Sequence, residues 1–407
     1  MEWSNQQKNA LGAIFHWHRS KTSQVFRLFG HAGTGKTTLA KEIATMVGGT
    51  VLFAAFTGKA ASVLASKGCV PSSTIHSLIY TTKDKGKAIL LEMEDNLEKL
   101  MHELAQEGKT KQEIDKEPGV INLKNKIKLE TKALTEPFFV LNHDSMIQNA
   151  DLVIIDECSM VNERMGQDLL SFGIPILVIG DPAQLPPVKG AGFFTEGCTP
   201  DILLTEIHRQ ARDNPIIRLA TLVREGKDLP YGEYGSSSVI SRSPGFDVLQ
   251  TYDQILCGRN ATRHTINNYY RIQLGFTSDF PQENDIVVCG RNNWDIGILN
   301  GLIYKVLKVN NHMGRKIFLR LEAEDGAIVE VSTHEQYFIG KEDEIPWFEE
   351  RDAEKFEYGY ALTAHKAQGS QWNRVLIKDE SSIFKKDSRK WLYTAITRAA
   401  KDVTIIR

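Results

Sequence analysis

The chain has 407 residues, of which 42% are hydrophobic and 25% are charged. At roughly 150 residues per domain this length predicts two to four domains, and the composition excludes disordered, fibrous and small disulfide-rich proteins. The 49 basic residues nearly balance the 51 acidic ones, so the net charge is only −2. A polyanionic partner must therefore be bound by a local groove and not by the overall charge.

The cysteines and the apolar runs predict a cytoplasmic protein that is not in a membrane. The five cysteines are odd in number, widely spaced and never form a CxxC pair, which argues against a disulfide framework and a zinc site. We find no apolar run of about 18 residues and no basic leader before an apolar stretch, so neither a membrane span nor a secretion signal is expected. The cysteines are Cys69, Cys158, Cys198, Cys257 and Cys289.

Short apolar runs alternate with helical patterns in the first half of the chain. The predicted strands are 25–29, 50–55, 151–155 and 176–179, and polar residues follow each of them. Nearly continuous apolar strands that alternate with helices indicate a parallel sheet covered on both faces. The sequence therefore predicts an α/β unit whose functional residues lie at one sheet edge.

Residues 84–136 interrupt this pattern with a segment rich in charged residues. Met93, Leu97, Leu100 and Leu104 recur at helical spacing, Pro118 breaks the pattern, and a returning helix is expected from about residue 120. The segment is predicted to be an inserted helical arm. The alternative is a solvated helical excursion without a role of its own.

The second half predicts another α/β unit with an insertion. A helical pattern at 216–227 and an apolar strand at 251–258 indicate the unit, which resumes near 357. Between 283 and 340, short alternating runs separated by turns such as Asn300-Gly301 predict a small β-barrel.

A phosphate-binding loop is predicted at 30–38, GHAGTGKTT, between a strand and a helix. Its glycines allow backbone N–H groups to converge on phosphates, and the helix N-terminus adds its dipole. Lys36 places a cation at the β and γ phosphates, and Thr37 offers a hydroxyl to Mg²⁺.

Two later strand ends supply groups for hydrolysis. Asp156 and Glu157 follow a buried strand, so Asp156 is expected to bind Mg²⁺ and Glu157 to orient or deprotonate the attacking water. Gln184 follows the next strand, within GDPAQLPPV, and its amide is expected to contact the γ phosphate or that water.

Nine blocks in fixed order carry a resemblance to superfamily-one DNA helicases of class B, and to the RecD-like and phage Dda-like enzymes in particular. The resemblance spans nearly the whole chain, although 84–136 has no counterpart in it. The blocks are QQKNAL (6–11), GHAGTGKTT (30–38), AFTGKAA (55–61), STIHSL (73–78), VIIDECSM (153–160), GDPAQLPPV (180–188), EIHRQA (206–211), ALTAHKAQGSQ (361–371) and YTAITRA (393–399).

The resemblance implies two RecA-like motor domains with ATP in the cleft between them and single-stranded DNA across their top. The helical arm then interrupts the first motor domain, and an SH3-like β-barrel interrupts the second. The implied divisions are 1–83 with 137–208, the arm at 84–136, 209–282 with 357–407, and the β insertion at 283–356.

The resemblance also implies nucleotide contacts. Gln7 is expected to read the adenine edge, and Arg209 and Arg398 to reach the γ phosphate from the second motor domain, although each arginine alone could be a surface residue. Gln371 stands where the family commonly has glutamate, which puts the strength of nucleotide preference in question. The expected nucleotide-binding residues are Gln7, Gly30, Gly33, Thr34, Gly35, Lys36, Thr37, Thr38, Gln368 and Gly369.

Short polar side chains at strand ends resemble the family's DNA-contacting positions and suit phosphates better than bases, so sequence-independent binding is expected. His76 and His365 could instead be capping or core histidines, and Trp294 or Trp347 could stack on a base or simply pack. The expected DNA contacts are Thr57, Lys59, Thr74, His76, Ser77, Thr363, His365 and Lys366.

The implied function is an ATP-dependent, Mg²⁺-requiring helicase that moves 5′ to 3′ on single-stranded DNA and opens duplex at a fork. An RNA-directed helicase is one alternative, because phosphate contacts distinguish the two sugars poorly. Another is a nucleotide-switched DNA loader or recombination mediator. Single-stranded DNA and fork duplex are the expected partners, and the identity of any protein partner is not predicted.

Overall fold

The computed structural model describes residues 3–82, 86–135, 139–187, 190–206, 213–293, 296–346, 349–350 and 353–407. In the N-terminal half, six strands form a parallel sheet in the order β3-β2-β6-β7-β1-β8. The strands of this half are β1 (Val25–Gly30), β2 (Val51–Ala55), β3 (Ser72–Thr74), β4 (Tyr80–Thr82), β5 (Phe139–Leu141), β6 (Leu152–Asp156), β7 (Ile176–Gly180) and β8 (Ile202–Leu204).

Helices cover both faces of this first sheet, as the sequence predicted. One apolar cluster joins the sheet to α1, α2 and α3, and a second cluster joins its other face to α4 and α8. All residues of β2 and β7 are buried, which explains their uninterrupted apolar sequences. The helices of this half are α1 (Asn5–Ser20), α2 (Lys36–Val47), α3 (Gly58–Ser66), α4 (Ile75–Ile79), α5 (Gly86–Gln106), α6 (Lys111–Ile114), α7 (Pro118–Thr135) and α8 (Glu163–Leu170).

The arm consists of α5, α6 and α7, with α5 and α7 packed against each other. Pro118 is the first residue of α7. The first position of a helix tolerates proline because its missing N–H group would have no partner within the helix. The strands β4 and β5 pair antiparallel beneath the arm, so the chain leaves and re-enters the first α/β unit through a two-stranded ribbon. The sequence did not indicate this ribbon.

The C-terminal half contains a second sheet in the order β17-β11-β18-β19-β10-β9, parallel except at β9. Its helices are α9 (Pro215–Arg224), α10 (Phe246–Leu249), α11 (Asn260–Gln273) and α12 (Ser388–Ile396). The strands of this half are β9 (Gly232–Tyr234), β10 (Ser237–Ile240), β11 (Gln254–Cys257), β12 (Ile286–Cys289), β13 (Ile303–Met313), β14 (Lys316–Ala323), β15 (Ile328–His334), β16 (Phe356–Tyr358), β17 (Ala361–Thr363), β18 (Trp372–Lys378) and β19 (Ala399–Ile406).

Strands β12 to β16 form the predicted β insertion, an antiparallel sheet in the order β15-β14-β13-β12-β16. The backbone N–H of Glu354 donates to the carbonyl of Ser332 at 2.6 Å, so the two ends of this sheet meet. Its core is apolar and includes Tyr304, Leu319 and Phe356. The SH3-like topology and the exact domain divisions stay predictions.

Within the described ranges, the helices are either too short or too polar to cross a lipid bilayer.

Candidate active site and nucleic-acid interface

The phosphate-binding loop lies between β1 and α2. Gly33 and Gly35 adopt φ angles of +80° and +79°, a conformation that side chains disfavour, which explains why glycine occupies both positions. The ammonium group of Lys36 donates to the carbonyl oxygens of Gly30 at 2.7 Å and His31 at 3.0 Å. The loop therefore wraps around the lysine that is predicted to bind phosphate.

Gln7 is anchored to this loop. Its side chain is buried, its Nε2 donates to the carbonyl of Thr34 at 3.1 Å, and its Oε1 accepts from the backbone N–H of Ser4 at 2.9 Å. The threonine side chain folds back onto the loop, since its hydroxyl donates to the carbonyl of His31 at 2.8 Å. Thr38, in the first turn of α2, is exposed. Contact between Gln7 and adenine stays a prediction.

Thr37 and Asp156 provide oxygen atoms that suit Mg²⁺. The hydroxyl of Thr37 donates to Oδ2 of Asp156 at 3.1 Å, which joins the start of α2 to the end of β6. Hydroxyl and carboxylate oxygens are ligands that Mg²⁺ accepts, and this ion commonly keeps several of its waters, so a few protein ligands suffice. The residues present therefore fit the predicted metal.

Glu157 has an unusual backbone and a perturbed carboxyl group. Its φ angle of +53° is uncommon for a residue with a side chain and occurs where the surrounding structure enforces it. Burial and the charge of Asp156 raise the pKa of the Glu157 carboxyl, and Arg398 acts in the opposite direction without cancelling them. A raised pKa brings this carboxylate closer to the range in which it can accept a proton from water.

Arg398 reaches Glu157 from the second α/β unit, with 3.8 Å between Nη1 and Oε1. Its guanidinium also donates to the carbonyls of Thr394 at 3.2 Å and Ser370 at 3.3 Å, so its direction is set by its own unit. Arg209, the other predicted arginine, lies outside the described residues.

Gln184 lies in the same cleft. Its side chain is buried, and its Oε1 has no hydrogen-bond partner among the described residues. The next residue, Leu185, packs into the apolar core of the second unit, and its carbonyl accepts from Nε2 of Gln368 at 3.1 Å. Gln371 Nε2 donates to the carbonyl of Ala399 at 3.4 Å.

Asp181 and Tyr393 lie within two of the sequence blocks, and neither of them was assigned a role from the sequence. Asp181 follows β7 and is fully buried, and it accepts a hydrogen bond from the hydroxyl of Tyr393 across the cleft. Asp181 could have been predicted as a site residue. It directly follows β7, which neighbours the strand that ends in Asp156. The partner role of Tyr393 had no signal in the sequence.

The three threonines predicted to contact DNA hydrogen-bond to nearby backbone. Thr57 and Thr74 cap helices α3 and α4, accepting from the N–H groups of Ala60 and Ser77 at 3.2 Å each. Thr363, buried at the end of β17, accepts from the N–H of Lys366 at 3.3 Å. Their contact with DNA stays a prediction.

The two α/β units approach each other at α3 and at the segment after β17. Gly369 packs against α3 so closely that a Cβ atom there would lie 2.8 Å from Oγ1 of Thr57. A Cβ atom at Gly58 would lie 2.7 Å from Cβ of Leu299 in the β insertion. The structure therefore brings the start of α3, the segment after β17 and the β insertion together.

Both predicted DNA-binding lysines are paired with glutamates of the β insertion. The Nζ atom of Lys59 lies 2.6 Å from Oε2 of Glu324, which follows β14. Lys366 pairs with Glu357 of β16, which also pairs with the buried Arg263. Burial opposes ionisation of Glu357, but the charges of Lys366 and Arg263 outweigh it and lower the pKa of this carboxyl to about 2.

The predicted histidines lie against aromatic rings. The ring centroid of His76 is 5.8 Å from those of Phe56 and Tyr80, and His365 is 5.4 Å from Phe384. Burial lowers the pKa of both histidines and so favours their neutral forms. Trp294 and Trp347 lie outside the described residues.

Comparison with known families agrees with this architecture. Residues 2–241, more than half of the chain, match the AAA domain family. Residues 358–406 match the UvrD-like helicase C-terminal domain.

A relative and two solved structures extend the comparison. The ATP-dependent RecD2 DNA helicase of Deinococcus radiodurans is 29% identical over 278 residues, a match that covers 61% of this chain and 35% of that protein. A structure of two coordinating Pif1 helicases at forked DNA covers 99% of this chain and 92% of its own, with 17% identity and a TM-score of 0.56. Bacteroides Pif1 in complex with ADP-AlF3 and single-stranded DNA has the same coverages, 16% identity and a TM-score of 0.52.

The two structures share the fold of this chain at low identity, and the family matches cover both α/β units. The chain therefore belongs to the AAA domain family, and it is similar to a RecD2 helicase in sequence and to Pif1 helicases in fold.

Proposed function

We propose that this protein is an ATP-dependent DNA helicase that moves 5′ to 3′ on single-stranded DNA and separates duplex DNA at a fork. The observation that carries the proposal is the approach of Arg398 to Glu157, at 3.8 Å, across the cleft between the two α/β units. A hydrolytic site completed by both units makes each turnover depend on how the units are docked. Such dependence couples ATP hydrolysis to relative motion of the units.

The site residues have distinct roles in this proposal. Lys36 compensates the charge of the β and γ phosphates, and Thr37 and Asp156 hold Mg²⁺, which neutralises phosphate charge when bound. Glu157 orients the attacking water and accepts its proton. Arg398 stabilises the charge that develops on the transferred phosphoryl group.

Gln184 offers its buried amide to the γ phosphate or to the attacking water, and Arg209 is proposed as the second arginine of the site. Gln7 and the loop 30–38 bind the nucleotide, assisted by Gln368 and Gly369. The side-chain amides of Gln7, Gln184 and Gln368 are uncharged, so they contribute to nucleotide binding through hydrogen bonds alone.

DNA is the proposed polymer, and the RecD2 relative and the Bacteroides Pif1 structure support this choice. The Deinococcus radiodurans protein is a DNA helicase, and the Bacteroides structure holds single-stranded DNA. The polarity rests on the resemblance of the nine sequence blocks to class B enzymes. The DNA path is proposed to follow α3, α4 and the segment after β17, where the predicted contacts lie.

The test compares ATP turnover in the presence of DNA and RNA oligonucleotides of equal length, followed by unwinding of duplexes with a 5′ tail, a 3′ tail or blunt ends. DNA-stimulated turnover and unwinding of the 5′-tailed substrate alone are expected. Lys36→Ala is the control without turnover. Equal unwinding from a 3′ tail contradicts the polarity, and DNA-stimulated turnover without unwinding favours a nucleotide-switched loader.

A further inference from the structure

The hydroxyl group of Tyr393 joins the two α/β units at the phosphate-binding loop. Tyr393 is a buried residue of α12, in the second unit. Its hydroxyl accepts a hydrogen bond from the backbone N–H of Ala32 at 3.0 Å and donates one to Oδ2 of Asp181. A single side chain of the second unit thus satisfies one donor and one acceptor of the first.

Asp181 is a strong acceptor for this hydroxyl. Its Oδ1 also accepts from the N–H of Ala183 at 3.0 Å, and Nδ1 of His31 lies 3.6 Å away. Burial opposes ionisation, but the His31 ring, the charge of Lys36 and the Tyr393 hydroxyl outweigh it and hold the pKa of Asp181 below its ordinary value. Hydrogen bonds to an ionised, buried acceptor are stronger than those between neutral groups.

Neighbouring contacts fix where this hydroxyl lies. The backbone N–H of Leu185 donates to the hydroxyl of Thr394 at 2.9 Å, and the side chain of Leu185 packs with Trp391 and Leu392. Ala32 packs at the margin of the same apolar cluster. The position of Tyr393 relative to the phosphate-binding loop is therefore set by docking of the two units and not by either unit alone.

We propose that Tyr393 is a positioning residue for ATP hydrolysis, which holds the phosphate-binding loop in its working conformation only while the two units are docked. Ala32 adjoins His31, whose carbonyl accepts from Lys36 at 3.0 Å, so a restraint at Ala32 acts on the backbone that places the lysine. The inference rests on the proposed function. Through Tyr393, docking of the two units acts directly on the phosphate-binding loop, in addition to the contact between Arg398 and Glu157.

The test is the Tyr393→Phe variant, which keeps the ring and removes the hydroxyl. The N–H of Ala32 and the carboxylate of Asp181 each lose this partner. Since the docked arrangement is the one that hydrolyses ATP, kcat is expected to fall on the order of tenfold, with KM for ATP changed by less than about twofold.

Two further variants separate positioning from general structural damage. Tyr270→Phe is the matched control, because Tyr270 is also buried in the second unit and donates to the carbonyl of Leu249 at 2.7 Å. It is expected to keep wild-type turnover. The double variant Tyr393→Phe/Asp181→Asn is expected to lose less turnover than the product of the two single losses, because both changes act on the shared Tyr393–Asp181 hydrogen bond.

Three outcomes overturn the inference: a kcat within about twofold of wild type, a KM that rises in proportion to the loss of kcat/KM, or an equal loss in Tyr270→Phe. Turnover is measured with and without single-stranded DNA. A wild-type protein that hydrolyses ATP without stimulation by DNA contradicts the proposed function. The comparison of Tyr393→Phe with wild type still decides the role of the hydroxyl.

Discussion

Lys59 and Glu324 form an ion pair of 2.6 Å that connects the start of α3 with the turn after β14. The lysine side chain is 20% exposed and the glutamate side chain 51% exposed, so solvent screens the pair and its contribution to stability is small. A phosphate group near Lys59 would meet repulsion from this carboxylate. If Lys59 contacts DNA as predicted, Glu324 of the β insertion is expected to weaken that contact.

Glu324→Gln is expected to tighten binding of single-stranded DNA by up to about fivefold, the range that an exposed ion pair allows. Fluorescence anisotropy of a labelled oligonucleotide at several salt concentrations measures the change. Glu330→Gln is the control, because this exposed glutamate of β15 brings the same change in net charge. Equal tightening in both variants would assign the effect to overall charge and not to Lys59.

Glu357→Gln is expected to lower the free energy of unfolding by about 3 kcal/mol at pH 7, because it leaves Arg263 and Lys366 without their buried counter-charge. The pKa of Glu357 is lowered to about 2 in the folded protein, below about 4.3 in the unfolded chain. Its stabilisation is therefore complete above the unfolded pKa and is lost as the pH falls towards 2.

Chemical denaturation at pH 7 and at successively lower pH checks this prediction. Glu342→Gln, which removes a surface ion pair with Lys355, is the control and is expected to cost less than about 1 kcal/mol. A Glu357→Gln protein as stable as the control would show that the buried cluster is not a net source of stability.

Glu157→Gln is expected to retain binding of ATP and DNA while losing hydrolysis, since the amide cannot accept the proton of water. The raised pKa of Glu157 adds a pH dependence. The carboxyl must be ionised to act as a base, so kcat is expected to fall as the pH drops through a value above the ordinary 4.3 or so. A kcat–pH profile measures this limb, and an undiminished rate in the glutamine variant contradicts the assignment.

Arg398→Ala is expected to reduce ATP turnover on the order of a thousandfold while nucleotide binding changes little, because an arginine at the γ phosphate acts mainly in the transition state. Arg209→Ala tests the second predicted arginine in the same way. Turnover and equilibrium binding of a fluorescent ATP analogue distinguish the two effects. Near-normal turnover in both variants would mean that the two units do not share one ATP site.

Replacement of residues 84–136 by a short Gly/Ser linker is expected to preserve DNA-stimulated ATP turnover and to lower the number of base pairs separated per ATP. The ion pairs Lys109–Glu117 and Lys124–Asp115 lie within the arm, which gives it internal support. The arm is proposed to meet the duplex junction. Unwinding as efficient as that of the full chain would contradict this role.

Much of the fold was predictable because the spacing of apolar residues along the sequence indicates which residues are buried. The strands before the phosphate-binding loop and before Asp156 were placed to within a residue or two, since mostly buried parallel strands have largely apolar sequences. The meeting of Thr37 with Asp156 followed from parallel topology, which gathers strand ends at one edge of the sheet.

The contacts between units were not predictable from local patterns. The pairing of Lys59 with Glu324 joins residues that are 265 positions apart, and the bond from Tyr393 to Asp181 spans 212 positions. These contacts depend on how two separately specified units dock, a relation that neither helical nor strand periodicity encodes. Glu324 could not be predicted as the partner of Lys59 for this reason, whereas Glu357 lies only nine residues before Lys366.

The pairing of Thr82 with Phe139 in the ribbon of β4 and β5 makes the arm a self-contained module. Neighbouring strands lie about 5 Å apart, so the chain departs and returns at nearly the same point. Segments of different length or sequence in place of the arm are therefore expected to leave the path of the chain on either side unchanged. Variation among relatives, or the insertion of a fluorescent reporter, is therefore expected to be tolerated at this position by the parallel sheet below.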